Sequence, residues 1–102
     1  MMTRLQYLLG KLAEEAGEAA QMALKCQQFG MDEVQPGREE SNKERLHAEM
    51  NDFNGLIMML NHEFNLDYTP SVPAMQRKRD KVNRYYDLSA AMGLTEPRKP
   101  LP

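Results

Sequence analysis

Apolar residues recur at helical spacing in three stretches of the chain, and no stretch alternates apolar and polar residues as a half-buried strand would. From Thr3 to about Phe29, steps of about 100° put Leu5, Leu8, Leu12, Ala16, Ala19 and Ala23 on one stripe. Thr3 is the expected cap, with Gln6 in the capping-box position, and Gly30 the expected stop. Gly10 and Gly17 interrupt this helix, each at a cost of roughly 1 kcal/mol relative to alanine. They read either as tolerated helix glycines or, at Gly17 beside Ala16, Ala19 and Ala20, as room for a close neighbour. A second helix is predicted from a cap at Ser41 or Asn42 to about Asn65. Its stripe is Leu46, Met50, Phe53, Leu56, Ile57, Leu60 and Phe64. A third runs from about Ala74 to Met92 and is stopped by Gly93, with Val82, Tyr85, Tyr86, Ser89 and Met92 on its less polar face. Pro36-Gly37 marks a turn in the polar connection between the first two helices. Pro70 and Pro73 mark the second break. The pattern gives an all-α chain with a single domain over residues 1–96 and a flexible proline-rich tail over 97–102.

Composition narrows the class. A chain of 102 residues fits one domain with a small core, so oligomerisation is expected. Thirteen basic residues against fifteen acidic ones, a formal charge of -2, give no basic surface for nucleic acid or for a membrane. Cys26 is the single cysteine, which forbids an internal disulfide and fits a reducing compartment. The N-terminus lacks the apolar run of a secretory signal, and no stretch has the apolar length of a membrane span. The expected location is cytoplasmic. Among the nine methionines, Met50 and Met59 read as adaptable core fillers.

Five carboxylates depart from an ordinary solvated pattern. Glu49 falls inside the arc of Leu46, Phe53, Leu56 and Leu60, and Asp52 sits at its edge. On the first helix Glu15 lies beside the apolar stripe, with Glu18 next along the axis and Glu14 further round. Spacings of three and four make Glu14, Glu15 and Glu18 surface neighbours. Carboxylates gathered on an apolar seam lose solvation and repel one another, so they call for a compensating cation. Magnesium or manganese suits an all-oxygen donor set. The bland alternative is a salt-bridged surface or subunit seam paired to Lys11, Arg45, Lys78 or Lys81.

Glu14-Glu15-Ala16-Gly17-Glu18 followed by Glu49-Met50-Asn51-Asp52 resembles the EExxE…ExxD signature of the MazG-like, all-alpha nucleoside triphosphate pyrophosphohydrolases, relatives of the dimeric dUTPases and dCTP pyrophosphatases. The resemblance extends from about Leu5 to Gly93 and includes LAEEAGEAAQMALK and KVNRYYDLSAAMGL. It implies a MazG-like helical bundle completed by dimerisation, as a homodimer or homotetramer. The implied reaction is magnesium-dependent hydrolysis of a (deoxy)nucleoside triphosphate to the monophosphate and pyrophosphate. It further implies that Glu15, Glu18, Glu49 and Asp52 bind Mg2+, with Mn2+ the other candidate. Glu14 and Glu15 become the catalytic candidates, Glu14 as a ligand or as the group that positions water. Lys81, then Lys78 and Arg84, are the phosphate contacts it suggests, and Asn54 and Tyr85 (or Tyr86) border the base. Asn51 lies on the polar side of its helix.

Two features depart from that family. The interval between Glu18 and Glu49 is long, and its polar loop reads as a lid, a determinant of base choice or a long turn. Only three helices are evident where the fold has four; the fourth would lie at Asp32–Glu40 or Asp67–Ser71, or be truncated. Two other classes compete. Glu44-x-x-His47 has the spacing of one ligand pair of a di-iron bundle, but no second pair exists, and His47 and His62 read as surface residues. A non-catalytic binding or assembly module on the same fold is the remaining alternative.

Overall fold

The computed structural model describes residues 1–101. Three helices and no strand occur among them: α1 (Arg4–Phe29), α2 (Asn42–Phe64) and α3 (Val72–Ala91). The chain is therefore all-α. It divides into two compact units, Met1–Tyr68 and another that begins at Thr69.

In the first unit α1 packs on α2. Arg4, in the first turn of α1, pairs with Glu63, in the last turn of α2, at 3.0 Å, so the helices run antiparallel. Both start with a complete capping box. Thr3 Oγ1 accepts from the Gln6 amide while the Gln6 side chain accepts from the Thr3 amide. Ser41 and Glu44 repeat the arrangement at α2. Ser41, not Asn42, is thus the cap, which frees Asn42 for another task. Its side chain, only 1% exposed, donates to the Gly30 carbonyl at 2.9 Å and to Glu33 Oε1 at 3.2 Å. It clasps the α1–α2 connection to the start of α2.

The core is thin. Leu8, Met22 and Leu60 are the hydrophobic side chains below 5% exposure among the described residues, at 2%, 4% and 1%. The inward stripe of α1 runs through Leu8, Leu12, Glu15, Glu18, Ala19, Met22 and Cys26, rotated from the expected line, which leaves Leu5, Ala16 and Ala23 exposed. On α2 it runs through Leu46, Glu49, Phe53, Leu56 and Leu60, while Met50 and Phe64 are exposed. Nothing in the chain comes within 4 Å of a Cβ built on Gly10 or Gly17.

Neither segment suggested for a fourth helix is helical. Gln35 to Arg38 form a type II turn: Arg38 N–H donates to the Gln35 carbonyl at 3.0 Å, and Gly37 takes φ +86° at the third position. After α2, Asn65 and Asp67 are left-handed, and the Asn61 side-chain amide exchanges two 2.9 Å hydrogen bonds with the Tyr68 backbone.

In the second unit Ser71 caps α3 and Pro73 sits in its first turn, where the missing N–H costs no hydrogen bond. The helix therefore starts two residues earlier than the proline pattern suggests. Leu94 N–H to Ser89 O and Gly93 N–H to Ala90 O, with Gly93 at φ +76°, close it as a Schellman motif. No residue of α3 is buried. Beyond it the chain has no regular structure, and the Arg98 guanidinium makes two 2.9 Å bonds to the Asp87 carboxylate. Pro102, the last residue of the expected tail, lies outside the described residues.

Candidate functional site

The inward stripes of α1 and α2 carry the carboxylates toward each other. Glu15, Glu18 and Glu49 each offer an oxygen, and these oxygens lie within 4.8 Å of one another. All three residues are half-buried, whereas Asp52 and Glu14 are exposed. Carboxylates in proximity do not by themselves indicate a metal. The second observation concerns burial: Glu15 Oε2 and Glu49 Oε2 are out of solvent and have no hydrogen-bond partner in the protein. A buried acceptor left unpaired is costly, more so when charged, so such atoms are rare unless water or an ion satisfies them.

Burial first, then the Glu18 and Asp52 charges, push the Glu15 carboxyl above its ordinary range; Lys11 opposes weakly. Glu49 is pushed up in the same direction, first by burial and then by the adjacent Glu18 carboxylate and the charges of Asp52 and Glu15. Asp52 thus bears electrostatically on both, although it is not one of the three convergent oxygens. Glu14 is occupied differently, in an ion pair with Lys11 Nζ at 3.2 Å.

Two clefts flank the cluster on the same unit. One, of about 270 Å³, is lined by Arg38, Glu40, Glu44, Arg45, Ala48 and Glu49. The other, of about 340 Å³ and largely apolar, is lined by Ala16, Ala19, Met50, Phe53 and Asn54. Asn54 therefore borders a cleft one turn from Glu49. Asn51 is exposed. Glu44 spends its carboxylate on the Ser41 cap, and His47 is exposed, so the Glu-x-x-His spacing reflects helix capping.

Lys78, Lys81, Arg84 and Tyr85 lie on α3, all exposed. The Arg84 guanidinium stacks over the Tyr85 ring, 5.4 Å from its centre. Lys78 borders a cleft of about 590 Å³ formed by α3 and the chain after it, together with Tyr86, Arg98 and Lys99. Arg38 beside the acids was not anticipated, whereas Arg45 was named only as an ion-pair partner for them and pairs with Gln35 instead. Arg45 is four residues before Glu49, a spacing that puts both on one helix face, and this was the available signal.

Comparison with protein-family models, with curated proteins and with solved structures finds no match. No helix of the described residues is long and apolar enough to cross a membrane.

Proposed function

We propose that the α1–α2 unit is a magnesium-dependent nucleoside triphosphate pyrophosphohydrolase that works as a homodimer or homotetramer. The observation that carries the reading is the convergence of Glu15, Glu18 and Glu49 from two helices, with two of their oxygens buried and unpartnered. The resemblance to the EExxE…ExxD signature supplies the reaction. The donor set fits the ion: all ligands are carboxylate oxygens, and a cation would satisfy both orphaned atoms and relieve their mutual repulsion. Glu15, Glu18, Glu49 and Asp52 would hold it. Bound there, magnesium supplies charge neutralisation for phosphate oxygens and acidifies water.

The protein's own groups then divide the work. Glu14, held at 3.2 Å by Lys11 outside the three-oxygen cluster, orients the attacking water and accepts its proton. The water oxygen bonds to the alpha phosphorus as the bond to the bridging oxygen breaks, and pyrophosphate leaves. Asn54, in the cleft with Phe53 and Met50, has an amide for the base edge beside an apolar wall for its face.

The thin core and the exposed Leu9, Leu24 and Met58 on α1 and α2 support assembly. They also favour the second reading, a non-catalytic assembly module. A pyrophosphate-release panel of ribo-, deoxy- and modified nucleoside triphosphates with Mg2+ separates the two. The enzyme releases pyrophosphate from at least one, and Glu49→Ala and Asp52→Ala lower that rate by at least about 100-fold, as expected for losing a charge that acts on the transition state. No turnover across the panel with Mg2+ or Mn2+ would falsify it.

A further inference from the structure

The charged groups beside Glu49 are unequally occupied. Glu44 Oε1 accepts from the Ser41 amide and hydroxyl, and Glu40 pairs with Arg38 at 3.6 Å. Arg45 has no carboxylate partner among the described residues; its Nη1 donates to the neutral Gln35 side chain at 3.0 Å. Arg45 and Glu49 are four apart, a spacing that favours ion pairing on a helix, yet Glu49 Oε2 has no partner. The half-buried Arg45, with no carboxylate paired to it, thus brings unused donors to a cleft that Glu49 also lines.

The connection between α1 and α2 fixes this cleft. Its type II turn sets the position of Arg38, Asn42 N–H donates to the Glu33 carbonyl and Lys43 N–H to the Met31 carbonyl, both at 2.9 Å. The buried Asn42 side chain completes the clasp. Arg45, Glu49 and Phe53 then follow one another at four-residue intervals along one face of α2: a cation, the acid cluster and an apolar cleft.

We propose that Arg45, with Arg38 beside it, binds the terminal phosphates of the substrate. The triphosphate then lies along α2, its pyrophosphate end toward the α1–α2 connection and its base toward Phe53 and Asn54. This rests on the pyrophosphohydrolase reading of the cluster. The planar fork of arginine matches phosphate oxygens two at a time, and the exposed Arg38–Glu40 pair is weak enough to exchange for phosphate.

The test is calorimetric titration of the full chain with inorganic pyrophosphate in excess Mg2+, beside KM and kcat on the best nucleotide. Arg45→Met weakens pyrophosphate binding at least about tenfold, the loss of a charge-assisted contact, and raises KM in step. Arg38→Met has a smaller effect in the same direction. Arg45→Lys falls between wild type and Arg45→Met, because it keeps the charge and loses the fork. Mn2+ binding without pyrophosphate is unchanged in all three. Wild-type pyrophosphate affinity in a folded Arg45→Met overturns the proposal, as does a wild-type chain that binds no pyrophosphate. If Arg45→Met loses its helical circular dichroism and Arg45→Lys binds like wild type, the residue is structural and the proposal fails. A wild-type chain that binds pyrophosphate through Arg45 yet turns over no nucleotide overturns the hydrolase reading instead, and leaves Arg45 in a polyphosphate site.

Discussion

Burial and neighbouring carboxylates press Glu15 and Glu49 toward their neutral forms. The consequence for stability has a definite sign. Around and just above the ordinary carboxyl value of 4.5 the unfolded chain has released more of these protons than the folded chain has. The folded state therefore binds more protons, and the metal-free protein loses stability as pH rises through this window. Glu63, pushed down mainly by its hydrogen bond from Arg4, acts in the opposite sense and only below 4.5. Thermal melts in chelator should show the midpoint falling from pH 4.5 toward neutrality, with Mg2+ restoring it near neutral pH and not at acid pH. A midpoint that rises over that range, or an equal effect of Mg2+ at both ends, would contradict the electrostatics. The convergence itself was legible in part. Periodicity put Glu49 inside the α2 stripe, but it left Glu15 beside the α1 stripe, because counting alanines as core rotated the line. In the fold, Met22 and Cys26 define the inner face, and Ala16 and Ala23 are exposed.

Each helix has a feature whose removal reads out separately. Leu60 is 1% exposed toward the C-terminal end of α2, so Leu60→Ala should cost about 2–5 kcal/mol in denaturant unfolding. Ser41→Ala removes the cap of α2 and should cost about 0.5–2 kcal/mol. Gly17 faces open space within its own chain. Gly17→Ala should therefore stabilise the helix by up to about 1 kcal/mol, and a loss instead would mark the close approach of a second copy. The helices were readable because caps and stops are local: Thr3 with Gln6, Gly30, Asn65 and Gly93 all sit where the pattern put them. The start of α3 was not, since a proline that ends a helix from within opens one from its first turn. Nor was the clasp of the α1–α2 connection, which depends on contacts that only the folded hairpin brings together.

At the scale of the whole molecule, few side chains are buried for a chain of this length, and apolar residues face outward on every helix. Sedimentation should give a dimer or tetramer at micromolar concentration, and a monomer would count against assembly as the means of covering those faces. The tail makes a smaller claim. The Arg98–Asp87 pair is exposed, so Arg98→Ala should change stability by less than about 1 kcal/mol. The proposed chemistry belongs to the first unit and begins with one ion held between α1 and α2. Its most direct test is Mn2+ binding near neutral pH, followed by electron paramagnetic resonance as free Mn2+ disappears. Binding should be saturable in the wild-type chain, lost in Glu49→Gln and kept in Glu14→Gln. No binding, or binding indifferent to Glu49→Gln, would contradict it.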